Sequence, residues 1–133
     1  MHLDHLYDGW SGLATVADQL GPLLRPLGEG RPGCYRRYDW VAGAFAETVV
    51  VDPPGPDGLL VLEGVGAGAS AYADLQSLLV WIEVPRDLRL SRGIARDGDH
   101  LRDEWLAWQE SEDAHFAAAR TRERADLLLD GRA

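Results

Sequence analysis

The chain has no lysine and no asparagine; all 13 of its basic residues are arginines. Without a lysine it cannot supply the amine of a phosphate-binding loop of the Gly-x-x-x-x-Gly-Lys-[Ser/Thr] type. Its single cysteine, Cys34, excludes an internal disulfide and suits a reducing compartment. Positive charge is also scarce: 22 acidic residues against 13 arginines leave a net charge of −9. Nucleic acid is therefore not an expected partner, because phosphate binding over an extended face needs a positive field. No apolar run approaches the ~18 residues of a membrane span, and Met1-His2-Leu3-Asp4-His5 lacks a signal peptide's basic and apolar regions. The expected setting is cytoplasmic, with no membrane partner.

What is present suits one soluble domain spanning 1–133, with 46% hydrophobic and 26% charged residues. The central stretch is Leu59-Leu60-Val61-Leu62-Glu63-Gly64, an apolar run between the Pro53–Gly58 turn and the small residues 65–69. Such a run reads as a strand buried on both faces. Its terminal carboxylate, Glu63, would then lie where open α/β sheets bind ligands, or would simply hydrogen-bond the glycine-rich loop.

Around this stretch, Leu3 and Leu6 suggest the tail of a strand. Ser11 is a candidate cap for a helix through about Leu24, with Leu13, Val16, Leu20, Leu23 and Leu24 on one face and a break or kink at Gly21-Pro22. Residues 34–52 read as an antiparallel hairpin, Ser70–Gln76 as a short helix, and Leu78–Val84 as a buried strand. Pro85 opens a helix to about residue 97. Asp99 caps a longer one to Ala119, with Leu101, Trp105, Trp108 and Phe116 inward, and Ala125–Asp130 forms a last strand. Strands alternating with helices predict an α/β domain with a mostly parallel sheet.

Arg86, Arg89, Arg92 and Arg96 fall within about 120° of one another on the helix after Pro85. They form either an anion site suited to bidentate phosphate contacts or a solvated face paired with Asp87, Asp97 and Asp99. Asp4 is either a general base at a strand end or a turn cap. Tyr7, Tyr35, Tyr38 and Trp40, with Asp39 between the last two, either bind a planar ligand or pair across a hairpin. His2, His5, His100 and His115 match no metal-ligand spacing. Neither Cys34 nor any serine has the setting of a nucleophile.

These stretches together resemble the P-loop nucleoside kinases, uridine kinase and its bacterial relatives in particular. His2–Tyr7 looks like that family's strand ending in Asp-x-x-Tyr, and Tyr35–Trp40 like its substrate hairpin. Val61–Gly64 is similar to its strand ending in Glu-Gly. Leu78–Val84 with Asp87–Arg92 and Arg96-Asp97 looks like its strand and Arg-rich lid (about 85–119), and Arg124–Asp126 like its last strand. The resemblance implies a three-layer α/β sandwich with a mostly parallel sheet, and ATP-dependent phosphoryl transfer to a nucleoside or similar small hydroxyl acceptor. Asp4 would be the general base, and Glu63-Gly64 would help hold the nucleotide, with Glu63 reaching Mg²⁺ through water. Arg89, Arg92 and Arg96 would neutralise the transferring phosphoryl group. Tyr7, Tyr35, Tyr38, Asp39 and Trp40 would line the acceptor pocket.

One part of the family pattern is missing from these residues: the P-loop strand, its lysine and its helix. Met1 stands three residues before Asp4. In the family this strand lies between the Glu63-like and Trp81-like strands, so two apolar edges would be left without a neighbour. The resemblance then implies upstream residues, or direct pairing of 59–62 with 78–84. It also leaves open association of copies through unpaired edges. The alternative function is a non-catalytic kinase-like binding or interaction protein.

Overall fold

A computed structural model describes residues 1–132. The chain forms two compact units, Met1–Leu75 and Gln76–Ala133, each with its own elements.

The first unit holds nearly all the apolar core. A 3-10 helix, Gly9–Ala14, leads into α1, Val16–Gly28. Val16, Leu20, Leu23 and Leu24 recur at i, i+4, i+7 and i+8, and this stripe is buried. The break expected at Pro22 does not occur: α1 runs through both Pro22 and Pro26. Each proline forfeits one amide hydrogen bond, but the buried leucines lie on both sides of Pro22 and hold the helix in place.

After α1 come β1, Gly33–Asp39, and β2, Ala44–Val51, which form the predicted hairpin, paired from Gly33↔Val51 to Asp39↔Ala44. A register shift between Arg36 and Tyr38 puts Tyr38 on the same buried side as Tyr35. At the tip, the Asp39 carboxylate accepts the amides of Val41 (2.9 Å) and Ala42 (3.0 Å). Gly43, at φ +66, closes the turn by donating to the Asp39 carbonyl.

The Leu59–Gly64 run is a correction. It forms no strand and makes only one parallel bridge, His2↔Glu63. The Leu3 amide donates to the Glu63 carbonyl (2.9 Å), the Glu63 amide to the Met1 carbonyl (3.0 Å), and the Met1 amino group to the Val61 carbonyl (2.7 Å). The neighbouring segment coils into a 3-10 turn at Leu3–His5, so no longer ladder forms. Leu59 stays 77% exposed instead of buried. Beyond it, Ser70–Leu75 is a 3-10 helix tied to α1 by Tyr72 Oη donating to the Ala17 carbonyl (2.7 Å) and by Arg25 with Asp74 (2.5 Å).

The second unit contains β3, Val80–Glu83, and β4, Leu127–Asp130, paired in parallel from Val80↔Leu127 to Glu83↔Asp130. Between them lie α2, Arg86–Asp97, a 3-10 turn at Asp99–Leu101, α3, Arg102–Ala119, and the single turn α4, Thr121–Arg124. The strand after Leu78 was expected to be buried; instead Ile82 is 61% exposed and Leu128 55%. Trp108 is the one buried large apolar residue of this unit among the described residues.

The fold is thus not a three-layer sandwich with a mostly parallel sheet. It has two separate two-stranded sheets, one antiparallel and one parallel. A continuous apolar run predicts burial in a wide sheet only if strands exist to flank it. Here β3 pairs with β4 and Glu63 with His2, so 59–62 does not pair directly with 78–84. Among the described residues, no helix is long and apolar enough to cross a membrane.

Helix α3 ends at Arg120, whose φ of 49° is the only positive φ at a non-glycine residue among those described. Left-handed backbone at a helix end favours glycine. Arg120→Gly is expected to raise stability by about 0.5–1 kcal/mol in urea denaturation. The exposed Arg120–Glu123 pair that is lost offsets little of this gain.

Candidate functional site

The first unit brings Asp4 and Glu63 to corresponding ends of two adjacent parallel segments. The bridge at His2↔Glu63 leaves Asp4 two residues beyond it on one side and Gly64 one residue beyond it on the other. Carboxyl ends of neighbouring parallel segments are where α/β proteins place ligands. Gly64 has φ +123, and a Cβ there would meet Leu3 Cβ at 3.0 Å and Tyr7 Oη at 3.3 Å, so this close approach needs glycine. The Asp4 residue is exposed, and the Trp40 indole Nε1–H donates to its carbonyl at 2.9 Å.

Trp40 also stands edge-to-face with Trp10 (5.8 Å, 72°) and with Tyr38 (5.3 Å, 78°). The result is an aromatic corner beside Asp4, with Trp40 43% exposed. The other predicted pocket residues are placed differently. Tyr7 is buried and donates to the Val65 carbonyl at 2.7 Å. Tyr35 and Tyr38 are buried in the hairpin's packed side, opposite Val49 and Phe45. Asp39 builds the tip turn. Trp10 and the His2 contact to Glu63 were not singled out in the sequence as parts of this corner. Trp10 lies in the 3-10 helix Gly9–Ala14, where it meets Trp40, and no local signal in the sequence pointed to that contact.

For Mg²⁺, Glu63 offers one exposed carboxylate, contacted by His2 Nδ1. Among the described residues, no three His, Cys, Asp or Glu side chains gather as a metal site. A lone carboxylate fits the water-mediated role that the resemblance gives Glu63, because Mg²⁺ keeps several waters and takes oxygens from substrate phosphates.

The four arginines of α2 have partners within the second unit. Arg86 Nε donates to Gln109 Oε1 (3.2 Å) and its NH1 meets Asp113. Arg89 meets Glu112, whose other oxygen accepts the Trp108 indole N–H at 2.9 Å. Arg92 donates to the carbonyls of Gly131 (2.8 Å) and Arg132 (3.1 Å). Arg96 pairs with Asp97 and lies over the Trp105 ring, 5.4 Å from its centroid. Their shared face thus holds α2 to its surroundings. Gly93 lets Trp105 come close: a Cβ there would sit 2.7 Å from the indole.

Electrostatics follow these contacts. Arg96 holds the Asp97 carboxyl below the ordinary carboxylate range, and burial pushes the His115 imidazole down. The amides of Ala42 and Val41 likewise depress the Asp39 carboxyl. A depressed carboxylate adds stability above its unfolded pKa and loses it as pH falls through the folded one. The hairpin tip is therefore expected to loosen on acidification below the ordinary carboxylate range. The Val41 and Ala42 amide resonances should follow that transition, and Asp39→Asn should abolish it.

No protein-family model matches the sequence, and none of the curated proteins compared with it matches.

Proposed function

We propose that the first unit binds a nucleoside or a similar small hydroxyl compound at the corner formed by Asp4, Trp40 and Glu63. The chemistry is uridine kinase-like phosphoryl transfer from ATP with Mg²⁺, in a cytoplasmic setting. The observation carrying this reading is the parallel bridge, with Asp4 and Gly64 just past it and an indole fastened to Asp4. Asp4 acts as general base on the acceptor hydroxyl. Trp40 and Trp10 supply apolar ring surface for a planar base. Glu63 reaches Mg²⁺ through water; offsetting phosphoryl charge, the main demand of this reaction class, is the role that the resemblance gives Arg89, Arg92 and Arg96 of the second unit.

A second reading is a non-catalytic kinase-like binding protein. The absence of lysine favours it, since these 133 residues cannot themselves supply a P-loop amine. The open apolar strands β3 and β4 favour self-association through their edges. Thermal-shift titration with nucleosides, with and without ATP and Mg²⁺, coupled to a phosphoryl-transfer assay, separates the readings. A nucleoside shift together with product formation supports the kinase. A nucleoside shift with no ATP response and no product supports the binding protein. If no nucleoside shifts the protein, the corner is not an acceptor site. Self-association is checked by sedimentation of wild type against Ile82→Thr and Leu128→Thr, which should dissociate it.

A further inference from the structure

We infer that Glu112 is a built-in competitor for the anion that Arg89 binds, so that phosphate must displace an internal carboxylate to reach its arginine. The inference rests on the phosphate-binding reading of Arg89 and adds a means of regulating it.

The Arg89–Glu112 pair is lopsided. Glu112 is buried, at 7% exposure, and satisfied twice: one oxygen meets Arg89 NH1, and the other accepts the Trp108 indole N–H at 2.9 Å. Arg89 is not equally well served. A guanidinium carries five N–H donors in a fixed fork, yet Arg89 Nε is buried and meets no acceptor. A buried donor left unmade is a standing cost, and a half-satisfied polar cluster favours any rearrangement that completes it.

A phosphate group offers what the single carboxylate oxygen does not. Several oxygens on one centre can accept from Nε and a terminal nitrogen together, the bidentate geometry arginine favours. The Arg89 side chain is 31% exposed, so part of it is open to an incoming anion. After the exchange Glu112 keeps its bond to Trp108. Arg86 is held separately by Gln109 and Asp113 and is not freed by the exchange. In the anion-free state Arg89 is thus held in place and neutralised. Binding then proceeds only when the anion outcompetes Glu112.

The test is calorimetric titration of inorganic tripolyphosphate into the full chain at fixed ionic strength. The variants are Glu112→Gln, Arg89→Ala and the double substitution. Glu112→Gln is expected to bind about tenfold tighter than wild type, with the gain abolished in the double variant. Weakened binding in Arg89→Ala with no gain in Glu112→Gln would leave Arg89 as an anion ligand and overturn the competitor role. Equal binding by wild type and Arg89→Ala would overturn the phosphate reading of Arg89, and the competitor role with it. Should Glu112→Gln fail to fold, wild-type NMR decides. The Trp108 indole N–H resonance must shift on adding tripolyphosphate in wild type and not in Arg89→Ala. An indole unmoved by bound tripolyphosphate overturns the inference.

Discussion

Leu3→Ala is expected to cost the first unit about 2–5 kcal/mol, the range for truncating a fully buried leucine. Leu3 is 0% exposed. It lies under the glycine turn, with its Cβ 3.0 Å from where a Gly64 Cβ would stand. Its amide makes the bond to the Glu63 carbonyl, so its side chain and backbone together fix the segment that ends at Asp4. The cavity left by truncation would loosen that bridge. Urea denaturation should show the stability loss. Nucleoside affinity should fall with it, because Asp4 and Glu63 lose their common anchor.

Gly33→Ala is expected to be at least as damaging, at about 3 kcal/mol or more. A Cβ on Gly33 would stand 2.1 Å from the Leu23 carbonyl oxygen and 2.9 Å from its carbonyl carbon. Those atoms are backbone inside α1 and cannot swing aside as a side chain would. The strand or the helix would have to move, breaking the packing of Leu20, Leu23 and Tyr35. Gly55→Ala serves as the control: nothing lies within 4 Å of its Cβ position, and stability should be unchanged.

The hairpin was legible in the sequence because its cues are local. Tyr35–Trp40 alternates polar and aromatic residues and Glu47–Val51 is rich in β-branched ones, while the turn made by Asp39 and Gly43 was shown by the structure. Pro85 marked the start of α2 for the same reason, whereas Asp99 does not cap α3: it begins the 3-10 turn before it, and Leu101 stands at the N-cap with no side-chain cap. Pro22 misled because a local rule gave way to tertiary burial of Leu20, Leu23 and Leu24. The last strand forms as expected, at Leu127–Asp130, whereas the runs at 59–64 and 78–84 misled over burial. An apolar run states a preference for burial, but which segments flank it is a long-range matter that the run does not encode.

The candidate site was partly legible on the same terms. Glu63 is bridged to His2, two residues before Asp4, across about sixty residues, and only the resemblance brought Asp4 and Glu63 together. The register shift between Arg36 and Tyr38, which strict alternation does not foretell, turned both tyrosines inward, as the cross-strand alternative allowed. The helical spacing of Arg86, Arg89, Arg92 and Arg96 correctly put them on one face, but spacing does not say where a face turns. The cue was on α3: Gln109, Glu112 and Asp113, at i, i+3 and i+4, form a matching acceptor row for Arg86 and Arg89.

The acceptor corner of the first unit is the centre of the account, and titration of nucleosides into the ¹⁵N-labelled chain tests it most directly. The prediction is saturable shifts at the Trp40 and Trp10 indole N–H resonances and at the Asp4 and Gly64 amides, with Asp4→Asn weakening the response. A titration that leaves those four signals unmoved, or moves only residues outside the corner, would contradict it.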